Sequence, residues 1–475
     1  MSADTLTPID ALSAIVGAAH VLTGDATDSH ARDWAGEHQG TPLAVVRPGS
    51  TKEVSEVLKW ANRTGTAIVP RGGGTGLTGA TAAGGAVLLS MERMRAIREI
   101  RPEARVAVVE AGAILSTIHD AVAEHDLIFP LFFGARGSAM LGGALSTNAG
   151  GSNVLRYGNT RDLCLGIEAV LPDGQIVNLM SQLHKDNSGY NLRQLLVGAE
   201  GTLGVITAAV LRLYPRPRAY ATAMVAARDV SAALRLLNRL KTESGGAVEA
   251  FEYMPGSYVA AHMARFPEAR APFDASHDVN ILIELGATAP RDAIPAEDGT
   301  LPIATLLETA LADAFEAGEI LDAVVAQSDS QRMEMWARRE ASAEVCLLRD
   351  PLVHNDVAVP LDRMQELLDE IAAIIARLDP GAQDISVAHL GDGNLHFAVW
   401  PENPDPALHH TIHMAVEEAV VALGGSFSAE HGIGTEKLPE MRAFKDPVAL
   451  AAMRAIKQAL DPKGILNPGK LIPAG

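Results

Sequence analysis

The chain has 475 residues, 48% of them hydrophobic, so it can bury a large core and is long enough for two or three domains. Its 39 basic and 58 acidic residues leave a net charge of −19, which disfavours nucleic acid and anionic membrane surfaces as partners. Cys164 and Cys346 are too few for a disulfide framework, an iron–sulfur site or a Cys-rich zinc module, which suits a reducing cytosol.

The opening M-S-A-D-T-L-T-P-I-D lacks a basic region followed by an apolar run, and no stretch approaches ~18 uninterrupted apolar residues, so a cytoplasmic protein is expected. Residues 43–47 read as a strand. Ser50 and Glu53 then have the spacing of a capping box ahead of Val54, Val57, Leu58 and Ala61 at helical spacing, with Gly65 as the stop. Residues 66–70 form a second strand, and this β-α-β unit runs into R-G-G-G-T-G-L-T-G at 71–79. Gly74, Gly76 and Gly79 match the dinucleotide fingerprint, which needs a helix starting in the loop. Only A-T-A-A-G-G separates Gly79 from the strand-like run at 86–90, too short for that helix, so a Rossmann fold is rejected. The remaining use for so many glycines is a bare backbone whose N–H groups approach phosphates.

Apolar segments alternate with helical ones to about residue 214, which predicts an α/β domain. The segment G-A-R-G-S-A-M-L-G-G-A-L-S-T-N-A-G-G at 134–151 is poor in periodic apolar residues and reads as a long functional loop. P-R-P at 215–217 marks a boundary. Beyond it A-V-E-A-F-E-Y, V-N-I-L-I-E-L and D-A-V-V-A-Q read as strands alternating with helices near 230–243 and 302–317, an α+β pattern. Residues 408–422 and 447–460 look helical, and I-L-N-P-G-K-L at 465–471 closes the chain in turns.

Within the last third stand H-L-G-D-G-N-L-H at 389–396 and E-H-G-I-G at 430–434. Asp392-Gly393 favours a two-residue hairpin turn, which sets His389 directly opposite His396 with Cβ atoms about 5 Å apart, within reach of one metal ion. Glu430 or His431 could complete that site. Two polar strand residues flanking a common turn are the competing reading. In a regular strand Glu430 and His431 point to opposite faces, so both serve one site only if the backbone turns, as Gly432 and Gly434 allow.

Together these motifs resemble the flavin-linked D-2-hydroxy acid dehydrogenases of the vanillyl-alcohol oxidase/p-cresol methylhydroxylase superfamily, a group that spans D-2-hydroxyglutarate and D-lactate dehydrogenases and the flavin subunit of glycolate oxidase. The resemblance covers nearly the whole chain. It implies an α+β fold with an FAD-binding domain of two α/β subdomains at 1–217, an antiparallel-sheet substrate (cap) domain at 218–405, and a helical C-terminal segment at 406–475 that completes the active site. It also implies non-covalent FAD, since the first loop offers neither His nor Cys for attachment. The pyrophosphate would lie on Arg71, Gly72, Gly73, Gly74, Thr75, Gly76, Leu77 and Thr78. Further contacts would come from Gly134, Ser138, Gly142, Gly143, Thr147, Asn148 and Gly151. The stretch K-D-N-S-G-Y-N-L-R-Q-L-L-V-G-A-E-G-T-L-G-V-I-T at 185–207 would add Glu200, Gly201, Gly204 and Ile206, and the tail Asn467.

By the same resemblance His389, His396 and Glu430 look like the ligands of a divalent metal, zinc in most relatives, and His431 like the catalytic base. Asn394 falls near flavin and substrate. Arg339, in W-A-R-R-E at 336–340, aligns with the arginine that binds the substrate carboxylate; an exposed helix charge is its bland alternative. The implied reaction oxidises a D-2-hydroxy acid to the 2-oxo acid, with the metal acidifying the hydroxyl, His431 taking its proton and FAD taking hydride. Electrons would leave to a separate acceptor, an electron-transfer flavoprotein or a quinone, and a homodimer is one assembly to test. Two positions depart from the D-2-hydroxyglutarate pattern: Ala343 stands where Thr or Ser is usual, and His354, ahead of D-V-A-V-P, where Lys is usual. Two other readings compete. One is a metal hydrolase of a phosphorylated substrate; the other is a weakly active family member acting as a subunit.

Overall fold

The computed structural model describes residues 6–474 except 33, 35, 37 and 184, so the first five residues of the opening segment lie outside the described residues. The chain forms two compact units. One comprises Met1–Gly150, Gly158–Pro215 and Glu430–Gly475, the other Gly151–Tyr157 and Arg216–Ala429.

In the first unit, β1 (Ala44–Val46), α1 (Thr51–Thr64), β2 (Ile68–Arg71) and β3 (Val87–Ser90) follow the order of the opening motif. The strands pair in parallel in the order β1-β3-β2, with Val21–Leu22 antiparallel at the β1 edge. β1 and β3 are buried throughout, as expected of a parallel sheet covered on both faces. The helix start is half of the box read from the sequence. Ser50 Oγ accepts the Glu53 N–H at 3.2 Å, but the Glu53 carboxylate accepts from Gly49 N–H at 2.7 Å, one residue outside the cap. Gly65 ends α1 at φ 72°. Among the described residues no helix lies between Gly79 and Val87, as the rejection of a Rossmann fold required.

A second, antiparallel sheet follows: β4 (Ile97–Arg101), β5 (Val106–Glu110), β6 (Cys164–Val170), β7 (Ile176–Leu179) and β8 (Val205–Arg212), in the order β4-β5-β8-β6-β7. The expected loop at 134–151 is corrected here, because it contains a helix, α2 (Leu141–Thr147). Leu141, Ala144 and Leu145 are buried at helical spacing, a short pattern that the surrounding glycines obscure. A Cβ on Gly142 would lie 2.8 Å from that of Ala111, so glycine lets α2 approach the first residue after β5 at backbone distance. The C-terminal tail is stitched to β2, with Ile68 N–H on the Ile465 carbonyl and Asn467 N–H on the Ile68 carbonyl, both at 2.8 Å.

The second unit is built on β9 (Ala219–Ala227), α3 (Val230–Glu243), β10 (Val248–Pro255), β11 (Val279–Ala287), α4 (Pro302–Glu316), β12 (Ile320–Val325), α5 (Asp329–Glu340), β13 (Val353–Ala358), α6 (Met364–Leu378), β14 (Val387–His389), β15 (Asn394–Trp400) and α7 (Pro406–Ala422). Its strands form an antiparallel sheet in the order β12-β9-β11-β10-β14-β15-β13. Side chains alternate between two faces. Val225, Phe251, Ile283 and Phe397 join the apolar faces of α3, α4, α6 and α7 in one core, while Met224, Leu282, Met254 and Trp400 form a smaller cluster with Met335 of α5 on the other face. That second face is the one that carries ionisable groups.

Candidate active site

Registers in the second unit set Glu252 opposite His389, His389 opposite Asn394, and Asp356 opposite His396. Opposed residues share a face, so these groups lie on one face of β10, β14, β15 and β13, in two adjacent rows: Glu252, His389 and Asn394 in one, His396 and Asp356 in the next. The hairpin corrects the sequence reading. It turns over residues 390–393, not over Asp392-Gly393 alone, so His396 pairs with Val387 and the two histidines are diagonal neighbours. Asp392 N–H bonds back to the His389 carbonyl at 3.2 Å, and Asp392 Oδ1 accepts the Asn394 N–H at 3.2 Å, which favours the longer turn. A two-residue offset keeps both rings on one face. Their centroids are 5.2 Å apart and the planes stand at 80°.

Glu252 organises its row and was not singled out from the sequence. It is 1% exposed, and its carboxylate lies 2.7 Å from His389 Nδ1 and 2.9 Å from Arg339 Nε. Burial alone pushes this carboxyl up, but His389 and Arg339 outweigh it and hold the group below the usual range. The contact directs His389 Nδ1–H to the carboxylate, which leaves Nε2 as the ring atom suited to a metal. Arg339 is 6% exposed, and its Nη2 has no hydrogen-bond partner among the described residues. Asp356, also missed, lies 3.6 Å from His396 Nδ1 and accepts from Asn394 Nδ2 at 2.9 Å, while the buried Asn394 Oδ1 has no partner among the described residues.

Arg339 is held by its own helix. Arg332, Trp336 and Arg339 recur at i, i+4 and i+7 on α5. Glu284 of β11 accepts from Arg332 at 2.6 and 2.7 Å, from Trp336 Nε1 at 2.8 Å and from Thr222 Oγ1 at 2.7 Å, which fixes the helix rotation. Ala343 and His354 are both exposed. The hydroxyl missing at Ala343 has a neighbour in Ser342, whose Oγ lies 3.5 Å from Arg339 Nη1.

In the first unit the glycines sort by cause. Gly74, Gly79 and Gly201 adopt φ values of 69–72°, in the left-handed region. A Cβ on Gly73 would lie 2.1 Å from the Ser138 carbonyl and one on Gly72 3.2 Å from Gly143 N, so the 71–79 and 134–151 segments touch backbone to backbone. A Cβ on Gly76, Gly134, Gly137 or Gly143 would meet no protein atom within 4 Å, and none of these has positive φ. Neither packing nor conformation asks for glycine at those positions, which fits a backbone kept bare for a cofactor.

Thr147 Oγ1 and Ser138 Oγ bond to carbonyls within their own segment, Gly143 and Ala135. Asn148, at φ 52°, caps α2 and accepts the Arg161 N–H through Oδ1. Gly204 precedes β8 and Ile206 lies on it opposite Ala169, whereas Gly151 falls in the second unit. Glu200 is a hub. Its carboxylate accepts the Ile433 and Gly434 N–H groups at 2.8 Å each, and its carbonyl accepts from Asn467 Nδ2 at 2.7 Å. Burial raises the Glu200 carboxyl against those amides, and burial also brings Lys470 down to about 8 against the pull of Glu200. This anchor bends the chain just after Glu430 and His431, with Gly432 at φ 81° and Gly434 at φ 53°. Glu430 and His431 thereby bring ligand-type atoms within 4.8 Å of each other.

Comparison with known proteins agrees with this architecture. The "FAD binding domain" family matches residues 42–180 and "FAD linked oxidases, C-terminal domain" matches residues 216–471. A D-2-hydroxyglutarate dehydrogenase of Xanthomonas citri pv. viticola is 35% identical over 94% of this chain and 92% of its own length. The mitochondrial D-2-hydroxyglutarate dehydrogenase of Bos taurus is 36% identical over 93% of this chain and 79% of its own. Among solved structures, p-cresol methylhydroxylase with substrate bound superposes with a TM-score of 0.75 at 16% identity, covering 99% of this chain and 98% of that one. A 4-ethylphenol oxidase of Gulosibacter chungangensis gives 0.71 at 20% identity, covering 99% of each. These last two speak to the fold alone, which is of the vanillyl-alcohol oxidase/p-cresol methylhydroxylase type.

Proposed function

Since this chain belongs to the FAD-linked oxidases and is a flavoprotein dehydrogenase, we propose that its substrate is a D-2-hydroxy acid of the D-2-hydroxyglutarate, D-lactate or glycolate type, released as the 2-oxo acid. One observation carries the substrate class: Arg339 is buried with an unpartnered Nη2 on the sheet face that also holds His389 and His396. A guanidinium in that setting suits a carboxylate.

His389, His396 and Glu430 are the proposed ligands of a divalent metal, zinc by preference for two imidazoles and a carboxylate. Such an ion would polarise the substrate hydroxyl as a Lewis acid. His431 is the proposed base that takes the hydroxyl proton. Arg339 orients the carboxylate, and Asn394 offers its unpartnered Oδ1 as a further acceptor. His354, exposed on β13, is placed by the proposal at the far end of the acid, where a titratable donor replaces the usual lysine. FAD would accept hydride, held non-covalently by residues 71–78, by Gly134, Ser138, Gly142, Gly143, Thr147, Asn148 and Gly151, and by Glu200, Gly201, Gly204, Ile206 and Asn467.

The match to an FAD-binding domain removes the support for a metal hydrolase. No helix among the described residues is long and apolar enough to cross a membrane. A cytoplasmic setting is proposed, which two free cysteines suit. A separate protein or quinone acceptor and a homodimer complete the reading. Anaerobic mixing with a panel of D- and L-2-hydroxy acids should bleach the flavin band near ~450 nm with the D-acids only, and a chelator should suppress the bleaching. A protein that takes up FAD but is bleached by no acid in the panel is the weakly active subunit instead.

A further inference from the structure

The helix-covered face of the second unit carries a polar pair that the reaction above does not use. Asn355 of β13 and Glu417 of α7 are 3% and 0% exposed, and they interrupt an interface of Val353, Val357, Ile412, Val416 and Val420. Asn355 Nδ2 donates to Glu417 Oε1 at 3.1 Å. Glu417 Oε2 and Asn355 Oδ1 have no hydrogen-bond partner among the described residues. A carboxylate with so little compensation in an apolar layer is costly unless a cation or a proton neutralises it.

His413, one turn before Glu417, favours a cation. Its Nδ1 lies 3.2 Å from the His354 carbonyl oxygen, which can only accept, so Nδ1 carries the hydrogen. Nε2 then faces Glu417 Oε1 at 3.4 Å. An imidazolium–carboxylate bond would close to about 2.7–2.9 Å. Two zinc ligands at about 2.0–2.2 Å in a tetrahedron stand about 3.3–3.6 Å apart, which brackets the observed separation.

We propose that His413 Nε2, the Glu417 carboxylate and the Asn355 side-chain oxygen bind a divalent cation between β13 and α7, separate from the His389/His396 site. The Asn355 amide would rotate to present Oδ1 to the ion, which gives that orphaned oxygen a partner, and Glu417 would engage Oε2 as well by binding through both oxygens. The ion would pin α7 to the strand that carries Asp356 and His354. The competing state is the Asn355–Glu417 pair without an ion.

The test uses the full chain with His389→Ala and His396→Ala, which removes the first metal site while leaving α7 untouched. After chelation and dialysis, Zn2+ is titrated against a chromophoric chelator. One equivalent should bind, and Glu417→Gln and His413→Ala, introduced separately, should each weaken it at least 10-fold with the circular dichroism unchanged. Zinc should also raise the urea midpoint of the background protein and not that of the Gln variant. Failure of the background protein to bind zinc, or binding that survives both substitutions, overturns the proposal in favour of the ion-free pair.

Discussion

Replacing Glu252 by Gln removes one charge from a buried triad without changing its volume. Glu252 is 1% exposed and touches His389 and Arg339 at 2.7 and 2.9 Å. Arg339 cannot lose its proton, so in the variant it stays buried, at 6% exposure, without its carboxylate. Breaking a buried pair from one side costs about 3–5 kcal/mol, and since Gln can still accept one hydrogen bond, about 3 kcal/mol is expected. At a slope of about 3 kcal/mol per M, the urea midpoint should fall by about 1 M. His389 also loses the group that fixes its tautomer, which should weaken affinity for the proposed metal, or activity, about 10–100-fold. A second substitution separates the two effects. Arg339→Met in the Glu252→Gln background removes the orphaned charge, so it should recover part of the stability while kcat/KM falls further. If Glu252→Gln leaves both the urea midpoint and metal retention unchanged, Glu252 does not organise this site.

Other substitutions divide along similar lines. Gly73→Ala drives a Cβ to 2.1 Å from the Ser138 carbonyl and should prevent accumulation of folded protein, whereas Gly76→Ala meets no protein atom within 4 Å and should fold normally yet retain FAD about 10-fold less tightly, read by equilibrium dialysis. His431→Ala should keep FAD but lose flavin reduction; an unchanged reduction rate in stopped flow removes it as the base. His354→Lys should move preference in the acid panel towards longer diacids, seen as a lower KM for D-2-hydroxyglutarate with kcat little changed. His119 is brought down to about 4, mainly by burial and then by Arg136. Between about pH 6.5 and 4 the unfolded chain takes up a proton that the folded chain refuses, so its contribution is present above 6.5 and lost as pH falls, by about 3 kcal/mol at most. His119→Phe should flatten that part of the stability–pH curve.

What the sequence carried was local pattern. The α1 segment, the helices at 230–243 and 302–316 and the missing Rossmann helix were all written in apolar spacing and glycine placement, which act over a few residues. What it hid was register. The Asp392-Gly393 signal predicted a two-residue turn, and the structure spends four residues there because the Asp392 side chain and the His389 carbonyl close a longer turn. The histidines still meet, because a shift of two residues preserves the face; a shift of one would have sent one imidazole to the helix side. Glu252 and Asp356 were missed for the same reason. Each is an acid in a strand of apolar neighbours, and its importance lies in which cation the next strand or helix sets against it. That gives a usable signal for the remaining cases: an acid inside a run bound for the centre of a sheet must find a cation or a proton there. Glu252 finds His389 and Arg339, and Glu284 finds Arg332. Glu249 finds Arg156, which the short segment Gly151–Tyr157 delivers to the second unit at 2.6 Å. Glu417, buried on helix α7, extends the question beyond the strands: His413 Nε2 lies 3.4 Å from its carboxylate, and the metal ion proposed above would satisfy the same rule there.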